Sequence, residues 1–217
     1  MALAANALRR EECIYTACYC EENVYKLVEL LTARKIASLD ELWVVFLSNP
    51  MKRFPLFCQR SSEREGGLVV WDYHVILIQR PPGGSANVWD IDTTLEFPCP
   101  IDTYAAEALA PFPFAEFDPS FKRFFRVVEG AVYKDAFASD RTHMIREDGS
   151  FASPPPEYPC IVAKDLQTMT LPQFWDMSKA NNGLGMIMDE SSFISRFILH
   201  GKSVQQDQPL ENESNVL

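Results

Sequence analysis

The stretch ACYCEENVY sets Cys18 and Cys20 two positions apart, directly before Glu21 and Glu22. A cysteine attacks as its thiolate, and the free N–H groups and positive dipole end at a helix start stabilise that anion. Cys20 stands four residues before Val24, in the first turn of the helix that begins here, whereas Cys18 lies just upstream. A thiolate also needs a base. Of the three histidines, His74 sits within WDYHVILI, where strand alternation puts Asp72, His74, Ile76 and Ile78 on one face. In the next apolar segment Val88, Asp90 and Asp92 share a face, and a hairpin turning near Gly83 and Gly84 sets that face against His74. An unpartnered buried carboxylate is costly, and an opposing imidazole supplies the partner. Cys20, His74 and either Asp90 or Asp92 thus offer nucleophile, base and orienting acid in that chain order.

These groups need elements to hold them. Val24, Leu27, Val28 and Leu31 recur at helical spacing and predict an amphipathic helix from Cys20 to about Ala33. LWVVFLSNP reads as a buried strand ended by Asn-Pro, GGLVVWDYHVILIQRPPGG as a second, longer one, and ANVWDIDTTLEF as a third. The Pro-Pro-Gly-Gly loop makes the last two antiparallel neighbours. IDTYAAEALA reads as a short helix and FKRFFRVV as a strand or helical segment. SPPPEYP reads as an extended surface connection stiffened by proline. TLPQFWDM through SSFISRFILH is expected to hold one helix and its lead-in. The organisation that follows is a flexible lead over 1–11, one catalytic domain over 12–200 and a disordered polar tail over 201–217.

Composition narrows the function. Thirty acidic against twenty basic side chains give a formal charge of −10, which repels nucleic acid and anionic membrane surfaces. MALAANALRR carries its arginines after its apolar run, the reverse of a secretory leader, and no segment nears the ~18 apolar residues of a membrane span. A cytosolic or nuclear protein with reduced thiols is expected. Cys13, Cys58, Cys99 and Cys160 have no helix start beside them and read as structural, and a lone C-x-C pair is a poor match to zinc-site spacing, so no metal is expected. FASDRTHM contains His143, which spacing alone does not separate from an ordinary surface cluster.

The blocks CIYTACYCEENVYKL, WDYHVILI, WDIDTTLEFPCPIDTY, FASDRTHM and PPPEYPCI, in this order, resemble the protein N-terminal glutamine amidohydrolases of the eukaryotic N-degron pathway, over roughly residues 12–200. The resemblance implies a monomeric α+β protein, a three-layer α/β/α sandwich around a mainly antiparallel sheet, papain- and transglutaminase-like. It implies conversion of N-terminal glutamine of proteins or peptides to glutamate with release of ammonia, without metal or organic cofactor. It carries the triad onto Cys20, His74 and Asp90, and so chooses Cys20 over Cys18 and Asp90 over Asp92 or Asp72. The substrate's free α-ammonium calls for a carboxylate near the nucleophile, and Glu21 or Asp92 is the candidate. A peptidase or acyltransferase with the same triad, or an inactive adaptor, are the rival readings.

Overall fold

The structure is a computed structural model that describes residues 8–110, 118–178 and 183–198. Its strands are β1 (Leu42–Ser48), β2 (Phe54–Leu56), β3 (Val69–Trp71), β4 (Tyr73–Gln79), β5 (Asn87–Trp89), β6 (Cys99–Pro100), β7 (Phe124–Glu129) and β8 (Met186–Asp189). Its helices are α1 (Cys20–Ala33), α2 (Ile101–Glu107), α3 (Gly130–Ala136), α4 (Leu171–Trp175) and α5 (Glu190–Phe197). Apolar side chains on both faces of β1 and β4 require cover on both sides, which only the middle of a sheet provides. These two strands are central in a six-stranded sheet of order β6-β5-β4-β1-β7-β8, antiparallel at every ladder.

Each face carries its own core. On one, Val24, Leu27, Val28 and Leu31 of α1 pack with Val44, Phe46, Val75 and Leu77, joined by Tyr133 of α3 and Phe174 of α4. On the other, Val45, Leu47, Ile76, Ile78 and Val88 meet Tyr104 of α2 and Phe193 and Phe197 of α5. Each such side chain contributes about 1.5–3 kcal/mol of gross burial, so packing rather than intrinsic propensity holds α1 in place. The α+β class with a mainly antiparallel sheet is therefore the observed one.

The long second strand expected from the sequence is in fact two. Between β3 and β4 the chain turns at Asp72, whose carbonyl accepts a 2.6 Å bond from Ser48 Oγ and whose Oδ1 accepts the Tyr73 N–H at 2.8 Å. β3 then pairs with β2 in a separate two-stranded sheet, while β4 pairs with β1. The third segment is strand only as far as Trp89, and its acids lie in the turn that follows. FKRFFRVV resolves as strand β7. The segment expected to hold one helix holds α4, β8 and α5, because Asp189 caps α5 by accepting the Ser192 N–H at 2.8 Å and β8 adds to the free edge of β7. SPPPEYP forms no regular element, and its Pro156 is buried.

At the N-terminal side Leu8 is buried and Arg10 donates to the Leu95 carbonyl at 2.8 Å. The tail over 201–217 lies outside the described residues. All six cysteines are free thiols. Among the described residues no helix is long and apolar enough to cross a membrane.

Gly130 starts α3 hard against the turn that leads into β1: a Cβ there would stand 2.9 Å from the Leu39 carbonyl oxygen and 3.1 Å from Leu42. Gly130→Ala is expected to lower stability by about 1–3 kcal/mol in urea unfolding, as overpacking does. An unchanged midpoint would show that the turn yields freely.

Candidate active site

Three pieces converge here: the start of α1, the start of β4 and the turn after β5. The loop into α1 is clasped by Asn23, whose side chain accepts the Thr16 N–H and donates to the Thr16 carbonyl, both at 2.8 Å. Cys18 takes a left-handed conformation, φ 69°, which swings the chain so that Cys20 enters the helix buried. Tyr19 occupies the cap position without a side-chain cap bond, so the first N–H groups of α1 receive none from it.

The sulfur of Cys20 accepts a hydrogen bond from the Val75 backbone and lies 3.7 Å from Glu21 Oε2. Val75 follows His74 directly. The pairing of β5 with β4 ends at Leu77 and Trp89, which leaves the β5 side of β4 open beside His74 and Val75. Strand parity places His74 with Ile76 and Ile78, on the face away from α1, so ring and thiol can approach only around this open edge.

The His74 ring is fully buried and stacks on Trp71, with centroids 5.0 Å apart and planes at 18°. Its Nε2 donates to Asp90 Oδ1 at 3.0 Å, since an ionised carboxylate can only accept. Asp90 Oδ1 also accepts the Asp92 N–H at 3.0 Å, and Oδ2 accepts from Tyr104 Oη at 2.8 Å and Gln59 Nε2 at 3.3 Å. The other ring nitrogen, Nδ1, is buried and has no hydrogen-bond partner among the described residues. Of the two candidate acids, Asp90 bonds the histidine; Asp92 instead accepts from Tyr15 Oη at 2.7 Å.

Charge in this site is governed by burial. Burial disfavours the Asp90 anion, yet the His74 charge and the converging donors outweigh it and hold the carboxyl below its ordinary value. Burial likewise disfavours a charged His74, and the Asp90 charge and hydrogen bond raise its pKa in spite of that. For Cys20 the helix start was expected to favour the thiolate. The surroundings oppose it: burial, then the charges of Glu21 and Asp92, push the thiol well above its usual range. Glu21 itself is pushed up to about 7 by burial, against hydrogen bonds from its own N–H and Tyr73.

Ligand atoms of His74, Asp90 and Asp92 lie within 4.8 Å of one another, close enough to consider a metal ion. Both Asp90 oxygens are engaged, by four hydrogen bonds in all, and Asp92 Oδ1 holds Tyr15. A cation would have to displace those donors, so the cluster is built as a hydrogen-bond network.

The FASDRTHM block, which spacing left open between the cleft and the surface, is largely buried, with Phe137 to Ser139 and Arg141 in the interior, His143 partly buried and Thr142 exposed. Arg141 makes a two-pronged pair with the fully buried Glu22 at 2.9 and 2.8 Å and donates to the Pro156 carbonyl. His143 Nε2 stands 3.7 Å from Glu21 Oε1. The block thus packs against the same glutamates that follow the thiol.

This arrangement can be set beside known proteins. A family model described as N-terminal glutamine amidase matches residues 15–197. The chain belongs to that family. It is 40% identical to the protein N-terminal glutamine amidohydrolase of Bos taurus over 188 residues, covering 87% of this chain and 88% of that one. Its identity to the Homo sapiens protein of the same name is 40% over 188 residues, with 87% and 89% covered. With the Arabidopsis thaliana protein it is 43% over 173 residues, 77% and 76% covered. The amidase match begins at Tyr15, the partner of Asp92, and spans every group of the site.

Sequence reasoning missed several contributors in this amidase. Tyr104 and Gln59 hold Asp90 from elements remote in the chain; Asn23 and Tyr73 brace the loop and Glu21. Tyr104 carried one signal, a tyrosine on the apolar stripe of a short helix, where a buried hydroxyl needs an acceptor.

Glu21 tests the energetics. Its folded pKa of about 7 exceeds the ordinary 4.5, so the folded state keeps a proton that the unfolded chain loses between these values. The resulting penalty is absent below pH 4.5, grows with rising pH and is complete above 7, at about 3 kcal/mol. In urea unfolding Glu21→Gln should gain on the wild type by roughly that amount between pH 4.5 and pH 8. A difference that does not change with pH would contradict the assignment.

Proposed function

We propose that this chain hydrolyses the side-chain amide of an N-terminal glutamine in proteins or peptides, leaving glutamate and ammonia, with Cys20 as nucleophile, His74 as base and Asp90 as orienting acid. One observation carries the assignment of roles: His74 is held through Nε2 by Asp90 while its buried Nδ1 has no partner, at the strand position next to the residue that bonds the sulfur. The fold is read as papain- and transglutaminase-like, because a cysteine at a helix start followed by an antiparallel sheet bearing histidine and acid is that layout. The protein is read as a monomer that works without cofactor, since thiol and imidazole suffice for amide hydrolysis.

The steps follow from the groups. Nδ1 takes the Cys20 proton as the sulfur attacks the carboxamide carbon, and the charge moves to the amide oxygen. The Cys20 N–H at the start of α1 stabilises the oxyanion. The C–N bond then breaks, and the imidazolium gives its proton to the departing ammonia. Water, deprotonated by the same nitrogen, attacks the γ-glutamyl thioester; the C–S bond breaks and the sulfur takes back the proton. Asp90 keeps the ring in one tautomer throughout. Glu21 and Asp92 make the entrance anionic, which suits a cationic chain terminus. Its arrival offsets the charges that hold the thiol up, so binding substrate favours the thiolate.

Ammonia release should be seen with peptides beginning Gln and not with Asn or acetyl-Gln counterparts, and Cys20→Ala should lower it on the order of 10⁴-fold or more. Equal release from acetyl-Gln, or an active Cys20→Ala protein, would sink the reading. Tyr104→Phe removes a donor from Asp90 without touching substrate. It is expected to reduce kcat about tenfold with KM little changed, and a rise in KM alone would argue against an orienting role for Asp90.

A further inference from the structure

We propose that Glu21 Oε1 and His143 Nε2, both buried, unpartnered and 3.7 Å apart, form the receptor for the substrate's free α-ammonium group. The proposal rests on the amidohydrolase reading above and assigns His143 a binding role.

The two glutamates after the nucleophile have different fates. Glu22 is matched inside the protein by Arg141. Glu21 is equally buried but has no arginine or lysine partner among the described residues. Its Oε2 is occupied, by the Tyr73 hydroxyl at 2.9 Å and the Cys20 thiol at 3.7 Å. Its Oε1 is not occupied, and a buried carboxylate oxygen without a donor is a standing cost that an incoming cation removes. Facing it, His143 has both ring nitrogens unpartnered, and burial keeps the imidazole neutral, so Nε2 offers a lone pair in the Nδ1–H tautomer. At 3.7 Å the two atoms are too far apart to bond one another. They are spaced as two acceptors that share one ammonium nitrogen, which directs separate N–H groups at each. The Trp175 ring, 5.8 Å from His143 and 4.9 Å from Tyr73, already carries the Lys52 ammonium 5.0 Å from its centroid, so it walls the pair and the two acceptors alone bind the incoming cation. Asp92, the other candidate carboxylate, is bonded through Oδ1 to Tyr15 and, unlike Glu21, has no buried oxygen without a partner.

The same geometry makes a ruler. Four bonds, about 5 Å when extended, separate the carboxamide carbon of glutamine from its α-nitrogen. Oε1 lies one carboxylate width, about 2.2 Å, from the oxygen that stands 3.7 Å from the sulfur, which keeps the ammonium anchor within about 6 Å of the nucleophile. Asparagine falls short by about 1.3 Å, enough to cost ~100-fold when the reacting atom is displaced. An internal glutamine or an acetylated one brings no ammonium at all.

The test uses Cys20→Ser protein, which cannot turn over, and calorimetric binding of two peptides: one beginning Gln, and one identical but with hydrogen in place of the α-amino group. The free amine should tighten binding about 10- to 100-fold, the range for a charge-assisted contact. Adding either Glu21→Gln or His143→Phe should bring the two peptides to within about twofold of each other, while Asp92→Asn should keep the preference. His143→Phe retains the ring against Trp175, and Glu21→Gln gives an independent answer if it folds poorly. A preference that survives both substitutions, or vanishes in Asp92→Asn alone, overturns the proposal. If it survives while wild-type protein still releases ammonia from Gln peptides, the receptor falls and the amidohydrolase reading stands. If no ammonia is released, both fall.

Discussion

Asp90 and His74 share a dry interior, and a carboxylate can stay ionised there only when its oxygens are met by donors. That requirement reaches outward through the fold. Tyr104 must come from α2, so α2 packs on the far face of the sheet; Gln59 must come from the loop after β2; and the chain must turn after β5 for the Asp92 N–H to fold back. Break the satisfaction of Asp90 and the ring loses its fixed tautomer along with a buried charge its partner. The network is therefore a structural constraint and the source of orientation at once.

The second constraint is topological. Alternation along β4 sends Val75 toward α1 and His74 away from it, so a sheet continued by a long β5 would wall the imidazole off from the thiol. β5 stops after three residues, and the strand edge beside His74 stays open. The break at Asp72 adds to this, because it hands β3 to another sheet and lets Trp71 fold back over the ring. Short and broken strands, a weakness in a sheet built only for stability, are what make room for the proposed chemistry.

Electrostatics around the thiol point the same way. Two successive glutamates enter the interior; one is neutralised by Arg141 and the other is left facing an unprotonated imidazole. A protein under selection for stability alone would pair or remove the second. Leaving it with a pKa raised to about 7 makes sense where a cation arrives with the substrate and favours its anion, and the raised thiol then becomes a resting state that binding relieves.

How much of this was legible in the chain divides along a physical line. Helix α1, its first residue Cys20 and the burial of β1 and β4 follow from local periodicity, and so could be read directly; the choice of Asp90 came from the family resemblance, and its place in the turn after β5, rather than on a strand face, did not show in the alternation. The class of protein was legible too, through five separated blocks that no single motif could have supplied. Hidden from the sequence were the break at Asp72, the extra strand β8, the interior position of Arg141 and His143, and the donors Tyr104 and Gln59. None of these has a local signature, because each depends on which distant side chain fills a space and which lone pair it meets. Periodicity decides what a residue faces within its own element; only the packing of one element on another decides what it touches, and at this site touch sets the charge.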